Sequence, residues 1–155
     1  MSSYAKRLGV LILLLGMVSA ATAAGFTLKD STGKIHTLKQ YKGRWVLVNF
    51  WATRCPPCLK EIPDFVSLYE AHKGKDFVAL GVAVDYQDPK EVADYVKKLA
   101  MSYPLIMGDD RITAQFGDVI GLPVSFLYDP KGRLVLKKIG TLPKETIEKY
   151  MTGQN

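Results

Sequence analysis

The fold is decided by residues 45–58, which read Trp45-Val46-Leu47-Val48-Asn49-Phe50-Trp51-Ala52-Thr53-Arg54-Cys55-Pro56-Pro57-Cys58. The first half is a near-continuous apolar run of strand length, which is typical of a central strand covered on both faces of a sheet. A helix is predicted to begin at the cysteines. Four apolar side chains of that helix are expected to face the core: Leu59, Ile62, Val66 and Tyr69.

Cys55 and Cys58 are the only cysteines of the chain, and two prolines separate them. A disulfide between them closes a very small ring, and the stabilisation that a disulfide provides shrinks with the length of its loop. The pair therefore favours a bond that is made and broken in thiol–disulfide exchange. Because a helix N-terminus stabilises a thiolate, Cys55 at the cap position is the expected nucleophile and Cys58 the expected resolving thiol.

Two other interpretations of the cysteine pair remain open. Cysteine is often buried and inert, and a C-x-x-C pair supplies two of the four ligands of a zinc site. The remaining zinc ligands would have to be His36 and His72, and neither stands at ligand spacing to the pair or to the other. We therefore expect two ordinary histidines, no metal site and no organic cofactor.

The start of the chain resembles an export signal. Lys6 and Arg7 precede an apolar run at residues 8–18, and Ala21-Thr22-Ala23 fits a cleavage site. Residues 1–23 are predicted to be a signal peptide, and residues 24–155 one folded domain in an exported, oxidising compartment, which is the periplasm or its equivalent. The alternative is a retained N-terminal membrane anchor, because residues 8–24 reach the lower limit of a membrane span.

Composition narrows the remaining function classes. Without residues 1–23, the chain of 155 residues keeps 132, which suits one domain, and the formal net charge falls from +6 to +4. The lysines are spread from Lys29 to Lys149 without a basic run. This pattern predicts a solvated surface and no nucleic-acid partner.

Alternating patterns on either side of residues 45–58 predict the other elements. Residues 26–38 read as a hairpin turned at residues 30–33, and residues 77–84 as a second buried strand. In the next helix Asp88 is predicted to cap the N-terminus, with Glu91 completing a capping box. Its apolar stripe is a set of four: Val92, Tyr95, Val96 and Leu99.

The C-terminal part is predicted to contain two strands and a helix. Residues 124–128 and 134–139 are strand-like runs joined by a turn at residues 129–132, and a helix covers about residues 143–151. The resulting order predicts an α/β fold. Its mixed sheet carries helices on both faces and is preceded by a short β-hairpin.

Several separated motifs now agree. The run Val46–Thr53 leads into the C-x-x-C pair, Glu61 completes a C-x-x-C-x-x-E pattern, and Pro63 falls five residues after Cys58. Gly121-Leu122-Pro123 precedes a strand, and Gly140 follows the last one. With these motifs, residues 26–151 resemble the TlpA/ResA type of exported bacterial thiol–disulfide oxidoreductase, in the thioredoxin-like superfamily.

The resemblance implies a thioredoxin-like fold and roles for particular residues. Glu61 is expected to take a proton from Cys58, and a cis bond is expected at Leu122–Pro123. A surface glutamate without a role in proton transfer is the alternative for Glu61. The expected contacts to substrate are Arg54, Gly121, Leu122, Pro123 and Gly140. The implied partners are proteins with disulfides and a membrane electron donor of the DsbD or CcdA type.

Three positions depart from the pattern of relatives. Asn49 stands where cytosolic thioredoxins have a buried acid, which leaves Glu61 as the candidate proton acceptor. Arg54 stands where many relatives have tryptophan, and it is either a cation that depresses the pKa of Cys55 or a solvated surface residue. The loop at Gly121-Leu122-Pro123 lacks the acidic and alanine pattern of the cytochrome-c-maturation branch, which weakens that specialised role.

The two prolines indicate the direction of the redox reaction. Pro56 and Pro57 remove two N–H groups that would otherwise stabilise the Cys55 thiolate, so the couple is predicted to be reducing. The predicted activity is reduction of protein disulfides, with a thiol oxidase or isomerase as the alternative. A peroxiredoxin needs proline at position 48 and threonine at 52, where this chain has Val48 and Ala52. A redox-gated binding module is the alternative outside enzymes.

Overall fold

The computed structural model describes residues 25–154, so the predicted signal peptide at residues 1–23 lies outside the described residues. The strands are β1 (Thr27–Lys29), β2 (Ile35–Thr37), β3 (Trp45–Trp51), β4 (Phe77–Ala83), β5 (Leu105–Met107), β6 (Val124–Tyr128) and β7 (Leu134–Ile139). The α-helices are α1 (Pro56–His72), α2 (Pro89–Lys98), α3 (Asp110–Thr113) and α4 (Lys144–Thr152). Short 3-10 turns cover Leu38–Tyr41 and Ala114–Phe116. Within residues 25–154, no helix is long and apolar enough to cross a bilayer.

The predicted α/β architecture is confirmed. β1 and β2 form an antiparallel hairpin, and the other five strands form one mixed sheet in the order β5-β4-β3-β6-β7. β3 is the central strand, parallel to β4 and antiparallel to β6. Its burial on both faces explains why its sequence is apolar almost without interruption.

The alternation of β3 side chains divides the core into two layers. Leu47 and Trp51 pack with α1, α2 and α4 on one face. Val46, Val48 and Phe50 pack on the other face with the hairpin and the segment that follows α3. The helix that carries the cysteines therefore lies on the same face of the sheet as α4, against side chains at every second position of β3.

The prediction for the inward face of α1 is wrong in part. Ile62 is buried as expected, but the other buried apolar residues are Cys58, Phe65 and Leu68. The predicted residues Leu59, Val66 and Tyr69 are only half-buried at the margin of the core. Apolar residues occupy two neighbouring stripes of this helix, and packing selects the stripe that also carries Cys58 and the polar Glu61.

α2 confirms one predicted cap and corrects the other. Asp88 accepts a hydrogen bond from the Lys90 N–H at 2.8 Å, as a capping residue does. Glu91 does not complete a capping box, because its Oε1 accepts from Thr53 Oγ1 at 2.7 Å. This bond ties α2 to the turn that precedes the cysteines. The short elements β5 and α3 are not among the predicted ones, since runs of three or four residues carry little periodicity.

Candidate active site

The predicted site residues are arranged around the C-terminal end of the central strand β3 and the start of α1. β3 ends at Trp51, and α1 begins five positions later at Pro56 with Cys55 as its N-cap. Phe50 pairs with Val124 across β3 and β6, so Pro123 stands beside the end of β3. The Gly140 N–H donates to the Pro123 carbonyl oxygen at 2.8 Å. Strand register therefore brings Pro123 and Gly140 to the end of the sheet at which β3 leads into the cysteine pair.

Cys55 and Cys58 form a disulfide, with an S–S distance of 2.00 Å and Cα atoms 5.3 Å apart. Cys55 is half-buried, whereas Cys58 is completely buried in the apolar layer beneath α1. The Cys58 N–H donates to Cys55 Sγ at 3.3 Å. Of the two sulfurs, Cys55 is therefore the one accessible from outside, in keeping with the predicted order of an attacking and a resolving cysteine.

The prolines between the cysteines shape the first turn of α1. Pro56 and Pro57 occupy the first two helical positions and have no N–H to offer. Among the residues at positions 56–58, the N–H of Cys58 is therefore the one available to the Cys55 sulfur. The helix start still attracts a thiolate, but with fewer donors than an ordinary N-terminus supplies.

Glu61 is buried, with 5% of its surface exposed, three residues after Cys58 on the same buried stripe of α1. Burial raises the pKa of its carboxyl group, and two hydrogen bonds oppose that rise without cancelling it. The Leu142 N–H donates to Oε2 at 2.8 Å, and Asn49 Nδ2 donates to Oε1 at 2.9 Å. This carboxyl group is suited to exchange a proton with its surroundings rather than to form an ion pair.

Glu61 and the residues bonded to it form a network that joins distant parts of the chain. Asn49 lies on β3, Ser125 faces it across the ladder on β6, and Leu142 precedes α4. Asn49 Nδ2 also donates to Ser125 Oγ at 3.0 Å. The sequence identified Asn49 as a departure from the buried acid of cytosolic thioredoxins. Its hydrogen bonds to Glu61 and to Ser125 were not predicted. Asn49 and Ser125 are polar within otherwise apolar strands, which is the signal that could have indicated a buried polar contact.

The predicted substrate loop combines a cis peptide bond with glycines in an uncommon backbone conformation. The Leu122–Pro123 peptide bond is cis. Gly121 has φ +74° and Gly140 has φ +86°, in the left-handed region that favours glycine. No heavy atom lies within 4 Å of the position that a Cβ would take on Gly140. Pro123 is buried, Leu122 is half-buried, and the neighbouring Ile120 is 70% exposed.

Arg54 and the two histidines are placed differently. Arg54 is exposed immediately before Cys55. His36 is buried between Asp30 and Tyr41, and its Nε2 lies 2.7 Å from Asp30 Oδ2. His72 lies at the end of α1, 2.8 Å from Asp76. Within residues 25–154, no group of three or more histidine, cysteine, aspartate or glutamate side chains is arranged to hold a metal ion.

Known proteins resemble this chain in sequence and in fold. The profile of the AhpC/TSA family matches residues 20–137. The chain is 34% identical over 131 residues to the thiol–disulfide oxidoreductase ResA of Bacillus subtilis, covering 83% of this chain and 72% of that protein. The crystal structure of StoA from Bacillus subtilis is similar with a TM-score of 0.70 and 28% identity, covering 84% of this chain and 98% of that one. A putative thiol:disulfide interchange protein DsbE from Chlorobium tepidum gives a TM-score of 0.72 and 26% identity, with coverages of 83% and 92%.

Proposed function

The chain belongs to the AhpC/TSA family and is a thiol–disulfide oxidoreductase of the ResA type, and from this premise we propose that it reduces disulfides in other exported proteins. The observation that carries the proposal is the disulfide at the start of α1, with Cys55 accessible and Cys58 buried behind it. A structural disulfide would gain nothing from this asymmetry. An exchange cycle requires it, because only one sulfur must meet the partner.

The reaction proceeds in two exchanges. The Cys55 thiolate of the reduced protein attacks one sulfur of the partner's disulfide, forming a mixed disulfide and releasing the partner's other sulfur as a thiolate. Glu61 then accepts the Cys58 proton, and the Cys58 thiolate attacks Cys55 Sγ. The Cys55–Cys58 bond forms, and the second partner sulfur leaves as a thiolate. Two electrons have passed from the cysteine pair to the partner.

Five residues around the pair are proposed to bind the partner chain. Leu122 and Pro123 lie beside the end of β3, and the space at the Cβ position of Gly140 leaves room for another chain to approach. Gly121 gives the loop its turn, with φ +74°. Arg54 is exposed next to Cys55 and is placed to meet the partner or to act on the thiolate by its charge.

The first turn of α1 supports a reducing couple. Because Pro56 and Pro57 lack N–H groups, the Cys55 thiolate loses two donors and the dithiol form is less stable. We expect a reduction potential nearer thioredoxin's roughly −270 mV than the roughly −120 mV of DsbA. The charge of Arg54 acts in the opposite direction. A potential more positive than about −180 mV would favour the oxidase or isomerase alternative.

The compartment and the electron donor follow from the same proposal. A protein that leaves the cytoplasm through the predicted signal at residues 1–23, or stays anchored by it, meets an oxidising environment. Its disulfide must then be reduced again by a membrane thiol transporter of the DsbD or CcdA type. Apocytochrome c is one candidate partner among exported proteins, and the loop at residues 121–123 does not favour it in particular.

Trapping the mixed disulfide tests the exchange cycle. The Cys58→Ser variant keeps the nucleophile but cannot resolve, so it should accumulate covalent complexes with exported proteins that dithiothreitol releases. The Cys55→Ser variant is the matched control and should capture none. Absence of complexes in both variants contradicts the cycle. Consumption of peroxide by the wild-type protein that is lost in Cys55→Ser would support the peroxiredoxin alternative. Activity that survives in Cys55→Ser would indicate a binding module.

A further inference from the structure

The buried contact between Asn49 and Glu61 has an unusual hydrogen-bond inventory. Both carboxyl oxygens of Glu61 face N–H donors, Oε1 facing the Asn49 amide and Oε2 facing the Leu142 backbone. This arrangement suits a carboxylate, which only accepts hydrogen bonds. A protonated carboxyl group must donate a hydrogen bond, and neither of these two N–H groups can accept one.

The Asn49 amide has a second orientation that solves this problem. Its two N–H groups now serve Glu61 and Ser125, while its Oδ1 is buried and has no hydrogen-bond partner among residues 25–154. If the amide turns over, Oδ1 faces both Glu61 and Ser125. A carbonyl oxygen accepts two hydrogen bonds, and the Ser125 hydroxyl donates as readily as it accepts. After this rotation of the side-chain amide, the NH₂ group is unpaired instead of Oδ1. No hydrogen bond to any residue other than Glu61 and Ser125 is broken.

We propose that Asn49 is a positioning residue for Glu61, holding the carboxylate through its N–H and turning over to accept from the carboxyl O–H once Glu61 has taken a proton. The proposal rests on the proposed exchange cycle, in which that proton comes from the Cys58 thiol. Ser125 stays hydrogen-bonded to the amide in both orientations, accepting from Nδ2 in the first and donating to Oδ1 in the second. The backbone of Leu142 keeps the other carboxyl oxygen in place throughout.

The surroundings of Glu61 leave few other groups to perform this task. On α1, Lys60 and Asp64 line the cleft that Glu61 shares with residues 141–143. Tyr103 is buried on the same face of the sheet. Burial raises the pKa of Tyr103, and the negative charge of Glu61 raises it further. The elements packed against Glu61 otherwise present the Asn49 amide from β3 and the Ser125 hydroxyl from β6. Asn49 is thus the side chain in direct contact that offers both a donor and an acceptor.

Nuclear magnetic resonance on the oxidised wild-type protein tests the proposal without any substrate. The carboxyl carbon of Glu61 and the side-chain amide of Asn49 should titrate with the same midpoint. Cross-relaxation between the Asn49 amide protons and Ser125 should be present above that midpoint and disappear below it. An amide signal that stays constant while Glu61 titrates overturns the proposal, as does cross-relaxation between the amide protons of Asn49 and Ser125 that is equally strong at both ends of the titration.

Three variants separate positioning from structural support. Asn49→Leu removes both the stronger, charge-assisted bond to the carboxylate and the weaker bond to the neutral carboxyl group, so the midpoint of Glu61 should rise by the difference, about one pH unit. Ser125→Ala only loosens the amide and should give a smaller rise in the same direction. Val48→Ala truncates a β3 side chain on the opposite face of the sheet, so it should destabilise the protein without moving the midpoint. An unchanged midpoint in both folded Asn49→Leu and Ser125→Ala contradicts the proposal.

The rate of mixed-disulfide resolution provides the functional readout. In Asn49→Leu this rate should fall severalfold at pH values around the midpoint that Glu61 shows in this variant, and it should approach the wild-type rate well above that midpoint, where Glu61 is ionised again. A rate loss that is equal at every pH would mark a purely structural role and contradict positioning. Because the titrations need no partner, a failed trapping experiment with intact joint titration would reject the exchange cycle and leave the Asn49–Glu61 coupling in place.

Discussion

Asp30 in the N-terminal hairpin and Glu61 on α1 are both buried carboxyl groups, and their pKa values move in opposite directions. Burial by itself would raise the pKa of Asp30, but hydrogen bonds from His36, Thr32 and Lys34 outweigh it and hold that pKa well below its ordinary value. At Glu61, burial outweighs the bonds from Leu142 and Asn49, and the pKa is raised. The number of donors decides between the two outcomes.

The difference separates a structural carboxylate from one that can move a proton. Asp30 Oδ1 accepts from Thr32 N–H, Thr32 Oγ1 and Lys34 N–H at 2.7–3.0 Å, while Oδ2 lies 2.7 Å from His36. This network closes the turn of the hairpin. The hairpin is in turn fixed to the edge of the sheet, where Ser31 N–H donates to the Leu105 carbonyl at 2.8 Å. Glu61 has two donors and lies beside the cysteine pair in sequence, so it keeps the capacity to change charge.

The largest effect should come from removing the charge of the structural carboxylate. Asp30→Asn is expected to lower the free energy of unfolding by on the order of 3 kcal/mol, because several donors lose a charged acceptor in a buried place. Urea unfolding measures the loss. Asp76→Asn is the matched control, since Asp76 also pairs with a histidine but is 56% exposed, and its cost should stay within about 0.5 kcal/mol. Equal costs would remove the distinction between buried and exposed pairs.

The reverse pattern is expected at Glu61. Glu61→Gln should slow resolution of the mixed disulfide about 100-fold, equivalent to ~2.7 kcal/mol in the barrier, because Cys58 loses its proton acceptor. Stopped-flow measurement of partner release in single turnover gives this rate. The free energy of unfolding should change by less than about 1 kcal/mol, since an amide of the same shape relieves the burial of a charge. A large loss of stability with an unchanged rate would show that Glu61 is structural, like Asp30.

The dependence of stability on pH should differ in sign between the two groups. Asp30 has a folded pKa below its ordinary 3.8, so its stabilisation is present above that pH and is lost as the pH falls toward the folded value. Glu61 has a folded pKa above its ordinary 4.5, so its stabilisation is present below pH 4.5 and is lost as the pH rises through the folded value. Urea midpoints across this range should lose the first trend in Asp30→Asn and the second in Glu61→Gln. Retention of either trend in its variant would assign it to other groups.

The smallest expected effect removes a single donor from Asp30. Thr32→Val deletes the hydroxyl that lies 2.7 Å from Asp30 Oδ1 and should cost about 1 kcal/mol in the free energy of unfolding. The pKa of Asp30 should move back toward its ordinary value, and the exchange rate should not change. Thr152→Val, an exposed hydroxyl at the end of α4, is the control and should cost less than about 0.5 kcal/mol. An unchanged Asp30 pKa would mean that the other donors suffice.

The local sequence pattern was sufficient to predict the strands and the helix start that surround the candidate active site. Three strands, at residues 45–51, 124–128 and 134–139, begin and end at the predicted positions, because each is a run of strand-forming residues bounded by turns. The start of α1 at the cysteines was likewise predicted, with Cys55 at the cap position. Predictions failed where two local solutions compete, as in the choice between two apolar stripes on α1 and the partner of Glu91.

The chain's own order of residues determined the chemistry, since only two cysteines at this spacing, ahead of a helix, are available for exchange. The tertiary structure decided the environment of that chemistry: the burial of Glu61 and its bond to Asn49, and the register that sets Pro123 beside Gly140. The physical reason is that periodicity acts between neighbours along the chain. The pKa of a carboxyl group depends instead on burial and on donors that approach from distant segments, such as Leu142, 81 positions away.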